Sequence, residues 1–535
     1  MAACLAIIAA LALGLFLTSP VDGRFWWSDA PRHGLNGIFV AELLRAAPFG
    51  DPVGFAYNFY AQYPALTILF YPPLFYLLSA PAFLLLGESH AVAQGMVALH
   101  LLALGAGIFA LARFWFDRWF ALACAMLMLA LPEIALWGRQ VMLEIPALAL
   151  LVWASVFVLR FVEGGRTISL LAATLFALAA LYTKISMAFA MPALAGAMLV
   201  AHGWRLLLQG RLWAAGLLGG LGLAPLVFLT LRFGQANVQS VVSIADTPAS
   251  RNTIAGWVWY VERLPGMAGW PALALAGIGL AAWLARPGLR AGRAGTLLLA
   301  AWMLVCYLAL SFIELKEARH GVILLVPVAI WAAMGLRVIV SPAPAALRGP
   351  VAVALALALA LWTIAFATVP EVTGYRDAAR IAATEAAPRS AVLFSGMRDG
   401  SFVFNMRTAT GRPDLMTVRA DKLLLSVAVR RELGVGQTSY TDEQIRDLLR
   451  DIGVSVVVAQ RDFWVDLDQM AALQRVLDGP DFEEIRRLPV VANLPVEDRE
   501  LRIYRARWEP RPARRDIAID LPIIGRRVQG RAAEP

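Results

Sequence analysis

Cysteine is nearly absent and charge is scarce: three cysteines stand among 535 residues, and only 16% of the chain is Asp, Glu, Lys or Arg. Cys4, Cys124 and Cys306 each fall inside an apolar run, which excludes a disulfide framework and a cysteine metal cage. Histidine is also rare, at five, and neither His33 nor His320 stands at metal-ligand spacing, so neither is read as a metal ligand; no cofactor is assigned, and dependence on a divalent metal is left open. The Gly-rich loop followed by Lys-Ser/Thr that cradles nucleotide phosphates is missing, which argues against a soluble nucleotide as substrate. No internal repeat is evident.

Hydrophobic residues, by contrast, make up 60% of the chain, and the mean hydropathy is +0.66. That exceeds what a soluble domain needs for its core, and repeated apolar runs reach the length of a bilayer span. The net charge of +9 does not point to nucleic acid, because the basic residues are scattered over short loops and a C-terminal tail without interleaved base-stacking aromatics. Membrane orientation explains that charge better. The expected architecture is mainly α, a polytopic helix bundle with a small C-terminal α/β domain.

Eleven candidate spans lie at 3–19, 91–112, 118–135, 144–162, 167–182, 185–202, 212–232, 269–285, 294–312, 320–338 and 349–368. The first lacks a basic n-region, so it is expected to stay as an uncleaved anchor. Residues 71–87, broken by Pro72, Pro73 and Pro81, decide the topology. Counted as a span, they send every later loop to the opposite side. Left out, they leave Arg113, Arg118, Arg160, Arg166, Arg205, Arg211, Arg286, Arg290, Arg293, Arg337 and Arg348 all on the inner face, as the positive-inside rule requires. Residues 71–87 are therefore expected to be a re-entrant or interfacial helix pair packed against protein.

On this reading residues 1–370 are the membrane domain, with a long first outer loop over 20–90 that includes a juxtamembrane helix at 30–46. Residues 371–506, where composition turns mixed and charged, are expected to form an outer domain of alternating helices and strands. Residues 507–535, rich in Pro and Arg, are expected to be a flexible basic tail.

Several charged residues fall on the outer face, where orientation alone does not call for cations. They are Asp29, Arg32 and His33 in the first loop, Arg139 and Glu144, Lys184, and then Glu314, Lys316, Glu317, Arg319 and His320. Ionisable groups at the membrane edge are costly and usually face a cavity or each other, which makes them site candidates. Plainer roles exist for some. Asp29 suits the N-cap of the helix that Pro31 begins, Glu144 suits a helix dipole, and Lys184 can reach the headgroups along its aliphatic stem. Lys316 and Arg319, two cations in one short outer loop, are better explained by a phosphate.

In order and spacing, these motifs resemble the GT-C glycosyltransferases that use polyprenyl-phosphate sugars, particularly the bacterial relatives of protein O-mannosyltransferases and of the lipid A aminoarabinose transferase. The carriers are Trp27-Ser28-Asp29, Tyr71-Pro72-Pro73-Leu74, Arg139 with Met142-Leu143-Glu144-Ile145-Pro146, Thr183-Lys184, and Lys316 to His320 followed by Pro327. The resemblance implies a GT-C membrane domain with Asp29 as general base and Glu144 as the second catalytic acid. It assigns Arg32, His33, Tyr71, Arg139, Lys184, Lys316, Arg319 and His320 to substrate binding. The sequence departs from the family where Glu144 replaces a frequent Asp, His320 a frequent Tyr, and Ala30 a frequent second acid.

The chemistry is compatible with that inventory. A base takes the acceptor hydroxyl proton as the sugar C1 is attacked, and cations offset the charge of a lipid phosphate that leaves without needing a proton. A single displacement inverts the anomeric centre. The expected partners are a polyprenyl-phosphate sugar, a glycan, lipid or protein acceptor, and membrane lipids, at the outer face of a bacterial inner membrane. The rival is a transporter or flippase for a lipid-linked or anionic solute. Such proteins more often show two related halves and charges near the bilayer midplane.

Overall fold

Each long apolar run closes its backbone hydrogen bonds within itself, as a hydrocarbon surrounding demands, and the outcome is a bundle of helices. The computed structural model describes residues 1–234, 249–289, 291–427, 431, 434–514, 518–521 and 526–529; Arg290, expected on the inner face, and parts of the expected tail lie outside them. In chain order the helices are α1 (Ala2–Leu17), α2 (Ala30–Ala46), α3 (Pro52–Gln62), α4 (Leu74–Leu86), α5 (His90–Ala112) and α6 (Arg118–Ala130). There follow α7 (Pro132–Trp137), α8 (Glu144–Gly164), α9 (Thr167–Thr183), α10 (Met191–His202) and α11 (Gly210–Phe233). Helices Ile254–Ala268, Trp270–Ala285, Gly292–Phe312, Leu325–Ile339 and Ala345–Phe366 complete the membrane region.

Among the described residues, seven helices are long and apolar enough to cross a bilayer, or eight if Ile254–Ala268 and Trp270–Ala285, a pair bent by 116°, together make one broken span rather than a re-entrant loop. Helices α1, α6 and α9 are apolar but shorter. All eleven stretches expected to span fall on helices, although α1, α6, α9 and Trp270–Ala285 are each shorter than the ~20 residues of a full crossing.

Two local expectations change. The helix pair expected over 71–87 is one helix, α4, which starts only at Leu74 because a residue preceding proline disfavours the α region and Pro72-Pro73 applies that restriction twice. The span expected over 118–135 stops at Leu131, since Pro132 has no N–H to continue α6 and instead opens α7.

The bundle has a clear centre. Residues 318–339 are 83% buried over their most apolar window and α8 is 72% buried, whereas α11 is 11% buried and faces outward. Helices Trp270–Ala285 and Leu325–Ile339 cross in backbone contact. A Cβ at Gly279 would lie 1.8 Å from the Trp331 carbonyl oxygen, and one at Gly335 would lie 1.9 Å from that of Leu275. Only glycine fits there, the small-residue crossing that membrane helices use in place of a hydrophobic driving force.

The C-terminal domain, expected on the outer side, carries a five-stranded sheet in the order β2-β1-β5-β7-β6. Its strands are β1 (Ala391–Ser395), β2 (Met416–Arg419), β5 (Val454–Ala459), β6 (Phe482–Pro489) and β7 (Glu500–Ala506); the short pair β3 (Leu425–Val427) and β4 (Val435–Gln437) stands beside it. β1 runs parallel to β2 and β5, and all three are buried along their whole length, as strands covered on both faces must be. The crossover from β1 to β2 runs through the helix Asp399–Ala409, and that helix lies on α2. Its Val403 and Phe404 belong to the same apolar core as the bundle, and Phe404 fills the space left by Gly34 of α2. After Arg507, the Ala513 and Arg514 amides donate to Arg389 and Ile452, and β8 (Ala518–Leu521) pairs with β9 (Arg526–Gln529).

Candidate active site

The charged residues sit at the breaks between helices. Asp29 is the last residue before α2, and Glu144 is the first of α8. Lys184 is extended between α9 and the short 3-10 turn Ile185–Ala190. Arg319 lies in a second 3-10 turn, Ala318–Leu324, which leads into Leu325–Ile339. Irregular backbone at membrane depth persists only where protein or a polar cavity surrounds it, so these breaks mark the polar end of the bundle.

Four segments meet there. Lys184 Nζ lies 2.6 Å from Glu144 Oε1, Arg319 Nη1 lies 3.7 Å from the same oxygen, and Arg319 Nη1 also reaches Asp29 Oδ2 at 3.4 Å. Glu317 grips the Nε edge of Arg319. The guanidinium carbon stands 4.9 Å from the centre of the Trp27 ring, a cation–π placement, so Trp27 supports Arg319. Side-chain exposure separates the acids: Glu144 retains 1% and Asp29 23%. Asp29 is the carboxylate that a second substrate can touch. Glu144 Oε2 is buried with no hydrogen-bond partner among the described residues.

Asp29 occupies the N-cap position of α2, yet its side chain makes no capping hydrogen bond. It instead faces Arg319, and Tyr71 is among the groups that act on it. Burial tends to raise its pKa, but Arg319, His33, Arg32 and the Tyr71 hydroxyl outweigh that and hold the carboxyl below its ordinary range. Tyr71 responds in the opposite sense: burial and the neighbouring carboxylate push its phenol well above the usual value, so it stays a donor. His33 is 1% exposed, and its Nδ1 shares a 2.8 Å hydrogen bond with the Tyr76 hydroxyl. Burial lowers its pKa to about 4 despite the pull of Asp29 and Glu144, so the ring is neutral near pH 7.

The other residues singled out from sequence lie differently. Arg32 turns away from Asp29 to a bidentate contact with Asp399, at 2.7 and 2.8 Å. Lys316 donates to the Ser311 and Ile313 carbonyls at 3.0 and 2.6 Å. Arg139 is buried and donates to the Ala135 carbonyl at 2.9 Å and the Thr18 hydroxyl at 3.4 Å. His320 Nε2 stands 3.8 Å from Glu317. The cluster thus brings together Asp29, Tyr71, His33, Glu144, Lys184 and Arg319. Glu317 joins it as a holder of Arg319; its place in the same short outer loop was the only sequence signal for it. Asp399 had none, standing 367 residues from its partner Arg32.

Residues 71–228 match the family model described as dolichyl-phosphate-mannose-protein mannosyltransferase. The fold is that of the GT-C glycosyltransferases. Over 93% of this chain and 97% of the other, it superposes on ArnT from Cupriavidus metallidurans bound to undecaprenyl phosphate, with a TM-score of 0.62 and 15% identity. The archaeal oligosaccharyltransferase AglB from Archaeoglobus fulgidus, in complex with an inhibitory peptide and a dolichol-phosphate, matches over 88% of this chain and 70% of its own, with a TM-score of 0.50 and 13% identity. The arabinofuranosyltransferase AftD from Mycobacteria matches over 94% of this chain and 41% of its own, with a TM-score of 0.51 and 15% identity. No curated protein matches the sequence.

Proposed function

We propose that this chain, a glycosyltransferase of the GT-C fold, moves a sugar from a polyprenyl-phosphate donor to an acceptor hydroxyl at the extracytoplasmic face of a bacterial inner membrane, with inversion. The observation that carries the reading is the junction of Asp29, Arg319, Glu144 and Lys184, two acids and two cations drawn from four separate segments into one cluster at the bundle's end.

Each group has a task in that reaction. Asp29, the accessible acid, takes the proton as the acceptor oxygen bonds to C1; the C1–O bond breaks and the polyprenyl phosphate departs as an anion. The reaction therefore needs cations where a glycosidase needs an acid. Arg319 suits that role. Its Nη1 contacts of 3.4 and 3.7 Å are long beside the ~2.7–2.9 Å of a tight charge-assisted bond, so this edge can turn to phosphate while Glu317 keeps the Nε edge in place. Lys184, held by Glu144, is the second cation. Lys316, engaged with backbone carbonyls, has no part in this account.

The test is direct. Purified protein in sealed proteoliposomes is given radiolabelled polyprenyl-phosphate sugars and a panel of hydroxyl acceptors, and sugar loss from the lipid, its sidedness and product anomeric configuration are followed. Acceptor-dependent release with inverted configuration is expected. Movement of intact lipid-linked sugar across the bilayer without cleavage would instead establish the transport reading.

A further inference from the structure

The segment that bears Asp29 is held from the outer domain. Gly400, in the first turn of the helix Asp399–Ala409, abuts that segment: a Cβ there would lie 3.1 Å from Pro31, 3.3 Å from Arg32 and 3.4 Å from the Ser28 carbonyl oxygen. Beside this contact runs a chain of alternating charges. Arg32 donates to both oxygens of Asp399, Arg419 Nη1 lies 2.6 Å from Asp399 Oδ2, and Arg419 grips Asp421 at 3.0 and 2.6 Å while donating to the Pro64 carbonyl at 3.1 Å. Arg32, Asp399, Arg419 and Asp421 retain 17%, 9%, 10% and 10% side-chain exposure, so each charge depends on its neighbours rather than on water.

A buried ion chain of this kind contributes little net stability, and apolar packing on the same helix already joins the two parts through Val403 and Phe404. What the charges add is direction. Arg32 follows Asp29 by three residues, on the turn whose orientation sets where the Asp29 carboxylate points. We propose that Asp399 is a positioning residue for sugar transfer: by holding Arg32 in a neutralised bidentate pair, it fixes the first turn of α2 and aims Asp29 at the acceptor. The outer domain is then part of the catalytic apparatus. This inference rests on the assignment of Asp29 as the base.

The experiment compares kcat and donor KM of the full-length protein in nanodiscs for wild type, Asp399→Asn, Asp399→Glu, Arg32→Gln and the Arg32→Gln/Asp399→Asn pair. Asp399→Asn is expected to lower kcat roughly tenfold or more with KM held within about twofold, because a slightly misdirected base reacts slowly without binding less donor. Asp399→Glu restores most of the rate. In the Arg32→Gln background, Asp399→Asn costs less than about threefold, since the two act through one contact. A wild-type kcat in a folded Asp399→Asn protein, or losses that multiply independently in the double variant, overturns the proposal.

Should Asp399→Asn fail to fold, the double variant, which leaves no orphan charge on Arg32, carries the test against Arg32→Gln alone. A kcat lowered in Arg32→Gln and equally low in the double variant supports the proposal; a wild-type kcat in Arg32→Gln, or a further drop in the double variant, overturns it. Asp29→Asn is run in parallel: surviving turnover there removes the base assignment itself, whereas an inactive Asp29→Asn beside an unaffected Asp399→Asn removes only the positioning role.

Discussion

Asp29 stands where an aspartate would ordinarily spend its oxygens on the first amides of a helix, yet its backbone, at φ −80° and ψ −25°, is already helical. A capping side chain needs the extended conformation to fold back onto the amides, so this carboxylate is turned out toward Arg319 and Tyr71. One outcome follows for stability. Loss of a working N-cap costs about 1 kcal/mol, and Asp29 supplies no cap, so Asp29→Asn is expected to leave thermal unfolding within a few degrees of wild type while its effect falls on turnover. His33 gives a second outcome at this scale. Its pKa falls from 6.5 unfolded to about 4 folded, so as pH drops below 6.5 the unfolded chain takes a proton that the native site refuses. Stability is lost across that window, by about 3 kcal/mol at full effect, and His33→Gln should flatten the loss in thermal melts between pH 6.5 and 4. No limb of the rate profile near neutral pH is expected from this histidine.

At the scale of elements, the site is built from interruptions: an uncapped helix start at Asp29, a proline-led start at Glu144 to Pro146, and two 3-10 turns at Lys184 and Arg319. These breaks were legible because each pairs a charge with the edge of an apolar run, a one-dimensional pattern. The capping box of Thr441 and Gln444 was half legible in the same way, since a cap acts over three residues. The partner of Arg32 was not. Nothing in Arg398-Asp399-Gly400 distinguishes it from a solvated surface turn, and only the crossover from β1 to β2 carries Asp399 onto α2. Nor did the sequence reading find α3, a short helix whose Asp51 accepts from the Gly54 amide. Where helices Trp270–Ala285 and Leu325–Ile339 cross, the backbones touch, so Gly335→Val must force them apart. That variant is expected to lower the yield of folded protein and its melting temperature by several degrees, read by size-exclusion profile and thermal scan, with Lys184 and Arg319 kinetics disturbed only secondarily.

For the whole molecule, the arrangement turns on which side of the membrane the polar end faces. From arginine placement, the loops after α5, α8 and α10 are expected inside, and the Asp29 cluster with the C-terminal domain outside. The three native cysteines are buried, so introduced cysteines report cleanly. Ser439→Cys, exposed in the outer domain, should react with a membrane-impermeant maleimide in intact spheroplasts, and Gly288→Cys, exposed between Trp270–Ala285 and Gly292–Phe312, only after lysis. The reverse pattern contradicts the orientation. A bundle centred on α8 and residues 318–339, closed over by a domain that shares its core, gathers two acids and two cations at one end, as the proposed transfer at a membrane surface requires. The most direct test of the account is single-turnover release of sugar from a radiolabelled polyprenyl-phosphate donor by Asp29→Asn beside wild type, with donor binding measured on the same samples. The account predicts unchanged donor binding and a rate lower by about a hundredfold or more. Sugar release at the wild-type rate would contradict it.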